Sequence, residues 1–378
     1  MKRLFTALLA AVLCIGCTGC TSIFSSYREV EQLHLIQTIG VDKRGDEVTL
    51  SISSSQGGSV SATTMAHPGK SIPDAMRRLQ ELSVHEDIFY AHTRYAVVGE
   101  DTAVSGLPEL LDFICRSGQI RTDIGMFVLK GGTAEELITR SSTADNSITD
   151  VLSSLDRAGR RDGSNYVFSC QEIIRALLEH GSALISAVQT KKTEGFIFSD
   201  AGELTAEPVG YGILKGEALC GYITGDSARG VNLLVNREGL GEVVVNAGAP
   251  VSLNARSSKC SITPSWDGDR LDAIRVECSL DCAVAEFSES VPHPSPEDYE
   301  NAAQALSQEA EGWLRSVLEL QRLYDADFLG LCAAVRSHSP KKYANIEENW
   351  PEALREVKYV VQVNAEIERD YDLRTPLK

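Results

Sequence analysis

Three cysteines near the amino terminus, Cys14, Cys17 and Cys20, form a C-x2-C-x2-C run, a spacing that can hold an iron–sulfur cluster. Their setting points to different chemistry. Lys2 and Arg3 precede an apolar run from Leu4 to Gly16, which ends in Cys17-Thr18-Gly19-Cys20. A positive end, a short apolar core and a small-residue patch make an export signal, and the run falls well short of the ~20 residues a spanning helix needs. A cluster cannot assemble inside an export helix, so the sulfur is expected to carry lipid. Cleavage ahead of a diacylated cysteine leaves two acyl chains on the new terminus, enough for stable anchoring. Cys20 follows Thr18 and Gly19 but has Cys17 at the usual aliphatic position, whereas Cys17 follows Ile15 and Gly16 and has Cys14 there. Cys20 is the favoured lipidation site and Cys17 the alternative; an ordinary secretory signal without lipid is the third reading.

The remaining reactive residues form no recognisable constellation. His34, His67, His85, His92, His180, His293 and His338 lack metal spacing. His85-Glu86 begins like a zinc-protease motif, but Phe89 stands where the second ligand belongs. Asp267, Asp269 and Asp272 lack the closing glutamate of a calcium loop, and hairpin-turn chemistry accounts for them. Gly57-Gly58 opens no helix, and no G-x-S-x-G, Walker or G-x-G-x-x-G motif is present. Beyond Cys20 lie Cys115, Cys170, Cys220, Cys260, Cys278, Cys282 and Cys332, an odd and scattered set that does not read as a disulfide framework. Cys278 and Cys282 share a strand face roughly 13 Å apart, too far to bridge each other. These cysteines are expected mostly as small core residues. The expectation is a protein that is not an enzyme, with no metal and no cofactor apart from the covalent diacylglycerol, with or without an N-acyl chain.

The chain of 378 residues is 43% hydrophobic and 24% charged, material for two or three folded domains. Losing Lys2 and Arg3 with the signal takes the net charge from −17 to −19. That excess of acid disfavours nucleic acid as a partner and disfavours adsorption to anionic headgroups, which leaves anchoring to the lipid.

The elements that must position these residues can be read from periodicity. LHLIQTIGVDK and GDEVTLSISS make a hairpin across a polar turn, and the stretch from Ser53 to Thr64 reads as a loop. Ser71 and Asp74 open a helix IPDAMRRLQELS with Ile72, Ala75, Met76 and Leu79 on one face. A strand FYAHTRYAVVGE, a helix PELLDFICRS, a strand TDIGMFVLKG and a helix opened by Thr133 and Glu136 follow, an alternation that implies a mixed sheet packed by helices. The polar stretch from Ser141 to Gly163 reads as a junction, and the helix QEIIRALLEH after it closes at Gly181. Strands ALISAVQTK, GFIFSDAGELTAEP and VGYGILKGEALCGYI come next, then a helix from Asp226 to Val235 and a strand GEVVVNA. Two long strands flank the Asp267-Gly268 turn, Ser295-Pro296 opens a long helix, and KYVVQVNAEIERD is the last strand. The class is α+β, mixed α/β in a multi-domain ectodomain. Residues 1–19 are expected as signal, 20–145 as an N-terminal α/β domain, 146–245 as a middle domain and 246–378 as a C-terminal α+β domain with the long helix.

Four blocks in order resemble the Ger(x)C family, the lipoprotein C subunits of spore germinant receptors. Glu29-Val30-Glu31-Gln32-Leu33 followed by Ile39-Gly40-Val41-Asp42-Lys43 is similar to the family's opening strand. YAHTRYAVVGEDTAVSGLPELLDFICRSGQIRTDIGMFVLKGGTAEELI resembles its middle block, and the run from Gly210 to Gly230 resembles a third, with Leu214 where an aromatic is usual. DADFLGLCAAVRSHSPKKYANIEENWPEALREVKYVVQVNAEIER is similar to the closing block. At the anchor, Thr21 stands where the family commonly has tryptophan.

The resemblance implies a three-domain mixed α/β ectodomain tethered to the spore inner membrane, on its outer face, which assembles with two integral membrane partners, the A and B subunits, in a receptor for small nutrients. It carries over no catalytic residue. For Asp42, Arg116 and Trp350 the structural readings are a turn, a cation at a helix end and a core or lid aromatic. A solute-binding or surface adhesion lipoprotein is the alternative reading of the whole chain.

Overall fold

The computed structural model describes residues 33–54, 63–83, 87–141, 147–162, 165–192, 204–235, 240–291 and 293–368. Cys14, Cys17, Cys20, Glu29 to Gln32, Gly57-Gly58 and His85-Glu86 lie outside the described residues.

β1 (Leu33–Arg44) and β2 (Glu47–Ser54) form the expected hairpin, turning at Gly45. β3 (Thr63–Gly69) pairs antiparallel with β2. After α1 (Ile72–Leu82), the short β4 (Asp87–Phe89) and β5 (Tyr95–Gly99) both run parallel to β1. α2 (Glu100–Ser105), α3 (Pro108–Ser117), β6 (Gly125–Lys130), α4 (Ala134–Arg140), α5 (Ile148–Asp162) and α6 (Cys170–His180) lead to β7 (Ser182–Lys192). β8 (Leu204–Lys215) and β9 (Ala218–Ile223) complete a nine-stranded sheet of order β3-β2-β1-β5-β6-β7-β8-β9, with β4 on β1. Its centre, β1-β5-β6-β7, is parallel. That explains the unbroken apolar runs of β5 and β6: Ala96 and Val98 face α1, α3 and α6, while Tyr95 and Val97 face α4 and α5.

α7 (Asp226–Val235) links to a second sheet, β10 (Gly241–Asn246), β11 (Pro250–Asp267), β12 (Arg270–Phe287) and β13 (Lys358–Glu368), in that order. α8 (Pro296–Tyr324), α9 (Leu331–His338), α10 (Pro340–Ala344) and α11 (Trp350–Glu356) precede β13. Leu306, Ala310, Trp313 and Leu314 of α8 pack with Val276, Leu280, Val361 and Val363 in this sheet's core. The mixed α/β class holds. The first sheet runs unbroken across the expected division at 145/146, where β6 pairs with β7.

Several expectations are corrected. The stretch from Ser53 to Thr64 gives way at Thr63 to β3, which has no clean alternation to announce it. The polar stretch from Ser141 to Gly163 contains α5, whose Ile148 and Leu152 are buried with Val151 and Leu155 packed beside them, a helical stripe within polar composition. FYAHTRYAVVGE is broken by a 3-10 turn at Tyr90–His92. The cysteines divide: Cys170, Cys282 and Cys332 are buried, Cys115 and Cys220 are exposed, and Cys260 and Cys278 form a disulfide. The hairpin register sets these two directly opposite, Cα atoms 4.1 Å apart, a pairing that spacing along a single strand cannot show.

Candidate functional site

The residues shared with the opening and middle blocks meet at one joint, at the carboxyl ends of the parallel strands. Asp42 lies within β1, not in a turn, and is 5% exposed. Its Oδ1 accepts from the Ala134 N–H at 2.9 Å and its Oδ2 from the Glu135 N–H at 2.8 Å. First-turn amides have no acceptor within their own helix, and a helix start favours negative charge. Burial raises the Asp42 carboxyl above its ordinary value despite the lowering pull of those two amides. A Cβ on Gly99 would lie 2.1 Å from Asp42 Oδ1, and one on Gly40 would lie 2.5 Å from Ile138 Cδ1. Both positions therefore require glycine for close approach. Glu100 accepts from Gly131 N–H at 2.7 Å and from the Tyr222 hydroxyl at 2.8 Å, which ties β9 to the turn after β6. Open α/β sheets usually take ligands at the carboxyl ends of their strands; here the chain's own carboxylate fills that place.

At the opposite strand ends lies a polar cleft of about 420 Å³ lined by His92, Arg94, Arg121, Asp156, Tyr166 and Glu172 among others. Its carboxylates are engaged. Arg121 Nε donates to Asp123 at 2.9 Å, and Tyr95 donates to Asp156 at 3.2 Å. Glu172 takes the Ser169 N–H at 2.8 Å and the Tyr166 hydroxyl at 2.7 Å, closing a capping box at the start of α6. Burial alone would raise the Glu172 carboxyl, but the Ser169 and Tyr166 donors bring it below its ordinary value. A carboxylate committed in this way is a poor general base.

The third region is the seam between the two sheets. Tyr211, fully buried in β8, accepts from Tyr166 N–H at 2.8 Å and donates to Asn232 of α7. α7 lies so close to α8 that a Cβ on Gly230 would sit 2.4 Å from the Trp313 carbonyl oxygen. Gly221 meets Tyr324 and Gly330 meets His180 in the same manner. Asp325 joins Lys215 at 3.1 Å and Arg355 at 2.8 Å across the seam. His180 Nδ1 stands 3.2 Å from Cys332 Sγ, a pair that could resemble a nucleophile with its base. Burial pushes the Cys332 thiol up to about 12, with Asp327 adding to the rise, the reverse of the lowered value that activates a cysteine nucleophile.

Of the residues singled out in the sequence, Arg116 stands in the last turn of α3, paired with Asp112 on the surface. Trp350 is buried and donates through Nε1 to Asp327 at 3.0 Å. Asp327 itself, 4% exposed, also accepts from the Leu331 N–H at 2.7 Å and the Cys332 N–H at 2.8 Å. Asp327, His180 and the Tyr211–Asn232 pair were not foreseen, since the contacts that matter span up to 152 residues. Among the described residues no cluster could hold a metal ion, and no helix is long and apolar enough to cross a membrane.

The fold is thus a two-sheet mixed α/β protein in which buried polar groups such as Asp42, Tyr211 and Asp327 join its own elements. Residues 26–190 match the family model for the spore germination protein N-terminal domain, and residues 209–371 match that for the spore germination B3/GerAC-like C-terminal domain. A solved structure, described as the crystal structure of the GerBC protein, aligns with a TM-score of 0.55 over 88% of this chain and 97% of that chain at 16% identity, a likeness of fold. Among curated proteins no sequence matches. The chain belongs to the Ger(x)C family of spore germination proteins, the C subunits of spore germinant receptors.

Proposed function

We propose that this chain is the membrane-anchored lipoprotein subunit of a nutrient germinant receptor, held on the outer face of the spore inner membrane by lipid on Cys20, with Cys17 as the alternative, and assembled with integral membrane A and B subunits. Its role is non-enzymatic, in assembly or signalling. The observation that carries this reading is the ordered match of both family domains along the chain. The Cys260–Cys278 disulfide supports a location outside the reducing cytosol. The glycine-lined seam suits a rigid scaffold that presents one continuous surface to partners.

The test is a detergent-solubilised pull-down of the full lipidated chain from native spore membranes, read by mass spectrometry. Two polytopic membrane proteins are expected to come with it. Recovery alone, or with a transporter permease, would overturn the receptor reading in favour of a solute-binding lipoprotein. Replacing Cys20 by Ala is expected to release the chain to the soluble fraction; continued lipidation would transfer the anchor to Cys17.

A further inference from the structure

β13 is the last strand of the second sheet, so one side of its eleven-residue backbone faces no other strand among the described residues. Such an edge is a template for pairing with another chain. Along it runs α8, and three outward backbone groups of β13 are met by side chains of this helix. The Ala365 N–H donates to Ser307 Oγ at 3.0 Å, the Val363 N–H donates to Glu311 Oε1 at 3.3 Å, and Arg315 Nη2 donates to the Val361 carbonyl at 3.1 Å. Arg315 also pairs with Glu311 at 3.3 Å, which holds both side chains in place. Farther along, Arg322 donates to the Val357 carbonyl, and its guanidinium lies 4.4 Å from the centre of the Tyr359 ring.

The periods of the two elements make this match possible. Four residues of helix advance about 6 Å, and two residues of strand advance about 6.6 Å. Ser307, Glu311 and Arg315 are therefore spaced like residues 365, 363 and 361 taken in the opposite direction. Backbone groups of alternate strand residues point to the same edge, so each helical step of four reaches one group of the next outward residue.

We propose that Ser307, Glu311 and Arg315 act as a substitute strand, which keeps the β13 edge closed to strand addition by a second copy of this chain. A copy is the fitting occupant. About a two-fold axis β13 meets its own duplicate, so every outward N–H finds a carbonyl from the same stretch, and the buried Val361 and Val363 of each copy would extend one common core. The inference does not depend on the receptor reading.

The experiment compares the full lipidated chain in detergent with its Ser307→Ala/Glu311→Ala variant, by amide hydrogen exchange over residues 358–368 and by native mass spectrometry. The wild type is expected to be protected and monomeric. The variant is expected to exchange roughly tenfold faster at residues 363 and 365, as the loss of a hydrogen bond implies, and to form dimers or larger species. Unchanged exchange, or faster exchange in a chain that stays monomeric at the same concentration, overturns the proposal. Should the double variant not fold, Ser307→Ala alone must speed exchange at Ala365. Glu311→Gln, which keeps an acceptor, must remain protected and monomeric; association of that variant would equally overturn it.

Discussion

Replacing Asp42 by alanine deprives two first-turn amides of α4 of their acceptor at a site only 5% exposed. Each buried N–H left without a partner costs about 1–3 kcal/mol, while release of a desolvated carboxylate returns part of that. The net loss should be about 2–4 kcal/mol. For a unit of this size each kcal/mol moves the midpoint by about 2–4 °C, so Asp42→Ala should melt about 5–15 °C lower. Asp42→Asn keeps one oxygen but turns an amide N–H₂ toward the second donor, and should fall between Asp42→Ala and wild type. Gly99→Ala should act through the same carboxylate, since its Cβ would stand 2.1 Å from Oδ1. The two effects should therefore be far from additive: in the Asp42→Ala background much of the Gly99→Ala penalty disappears. Calorimetry or circular dichroism at neutral pH reads the four variants, the double one included, against wild type. An Asp42→Ala midpoint within about 1 °C of wild type, or full additivity with Gly99→Ala, would refute the reasoning.

Two glycines should respond oppositely to alanine. Gly230→Ala places its Cβ 2.4 Å from the Trp313 carbonyl and should destabilise by about 1–3 kcal/mol, whereas Gly312→Ala in α8 meets nothing within 4 Å and should stabilise by up to about 1 kcal/mol, both read by denaturant titration. Cys260 and Cys278 should resist alkylation until reduced, and reduction should cost roughly 3 kcal/mol for a separation of 18 residues; ready labelling of both in the unreduced chain would exclude the bond. Glu172, whose folded value lies below its ordinary 4.5, stabilises fully above that value, and the contribution disappears as pH falls through the folded value. In melts taken from neutral to acid pH, Glu172→Gln should be less stable at neutrality and should lack that part of the acid loss; parallel curves for the two chains would count against it.

Elements set by local rules were readable in the chain. The Ser295-Pro296 start of α8 and the Gly181 close of α6 stand where expected, with Ser295 accepting from Asp298 N–H and Gly181 in the left-handed region. The Asp267-Gly268 turn likewise joins the two long strands. In each case the residues that specify the geometry lie within one turn of it. α5 was obscured because its buried stripe is narrow and its other residues are polar. β3 ends in His67-Pro68-Gly69, chemistry that denies a strand when read locally but is tolerated at a sheet edge.

By itself the sequence determined the mixed α/β class, most helices and strands, and the family, because apolar periodicity and turn chemistry act over short spans. Only the tertiary structure decided that Asp42 caps α4 rather than serving a turn, that Cys260 faces Cys278, that β13 joins β12 in parallel, and that His180 and Cys332 meet in the seam. Each depends on register or burial set by elements far apart in the chain, and a carboxylate or thiol acquires its role from the partners and solvent it meets after those elements have packed.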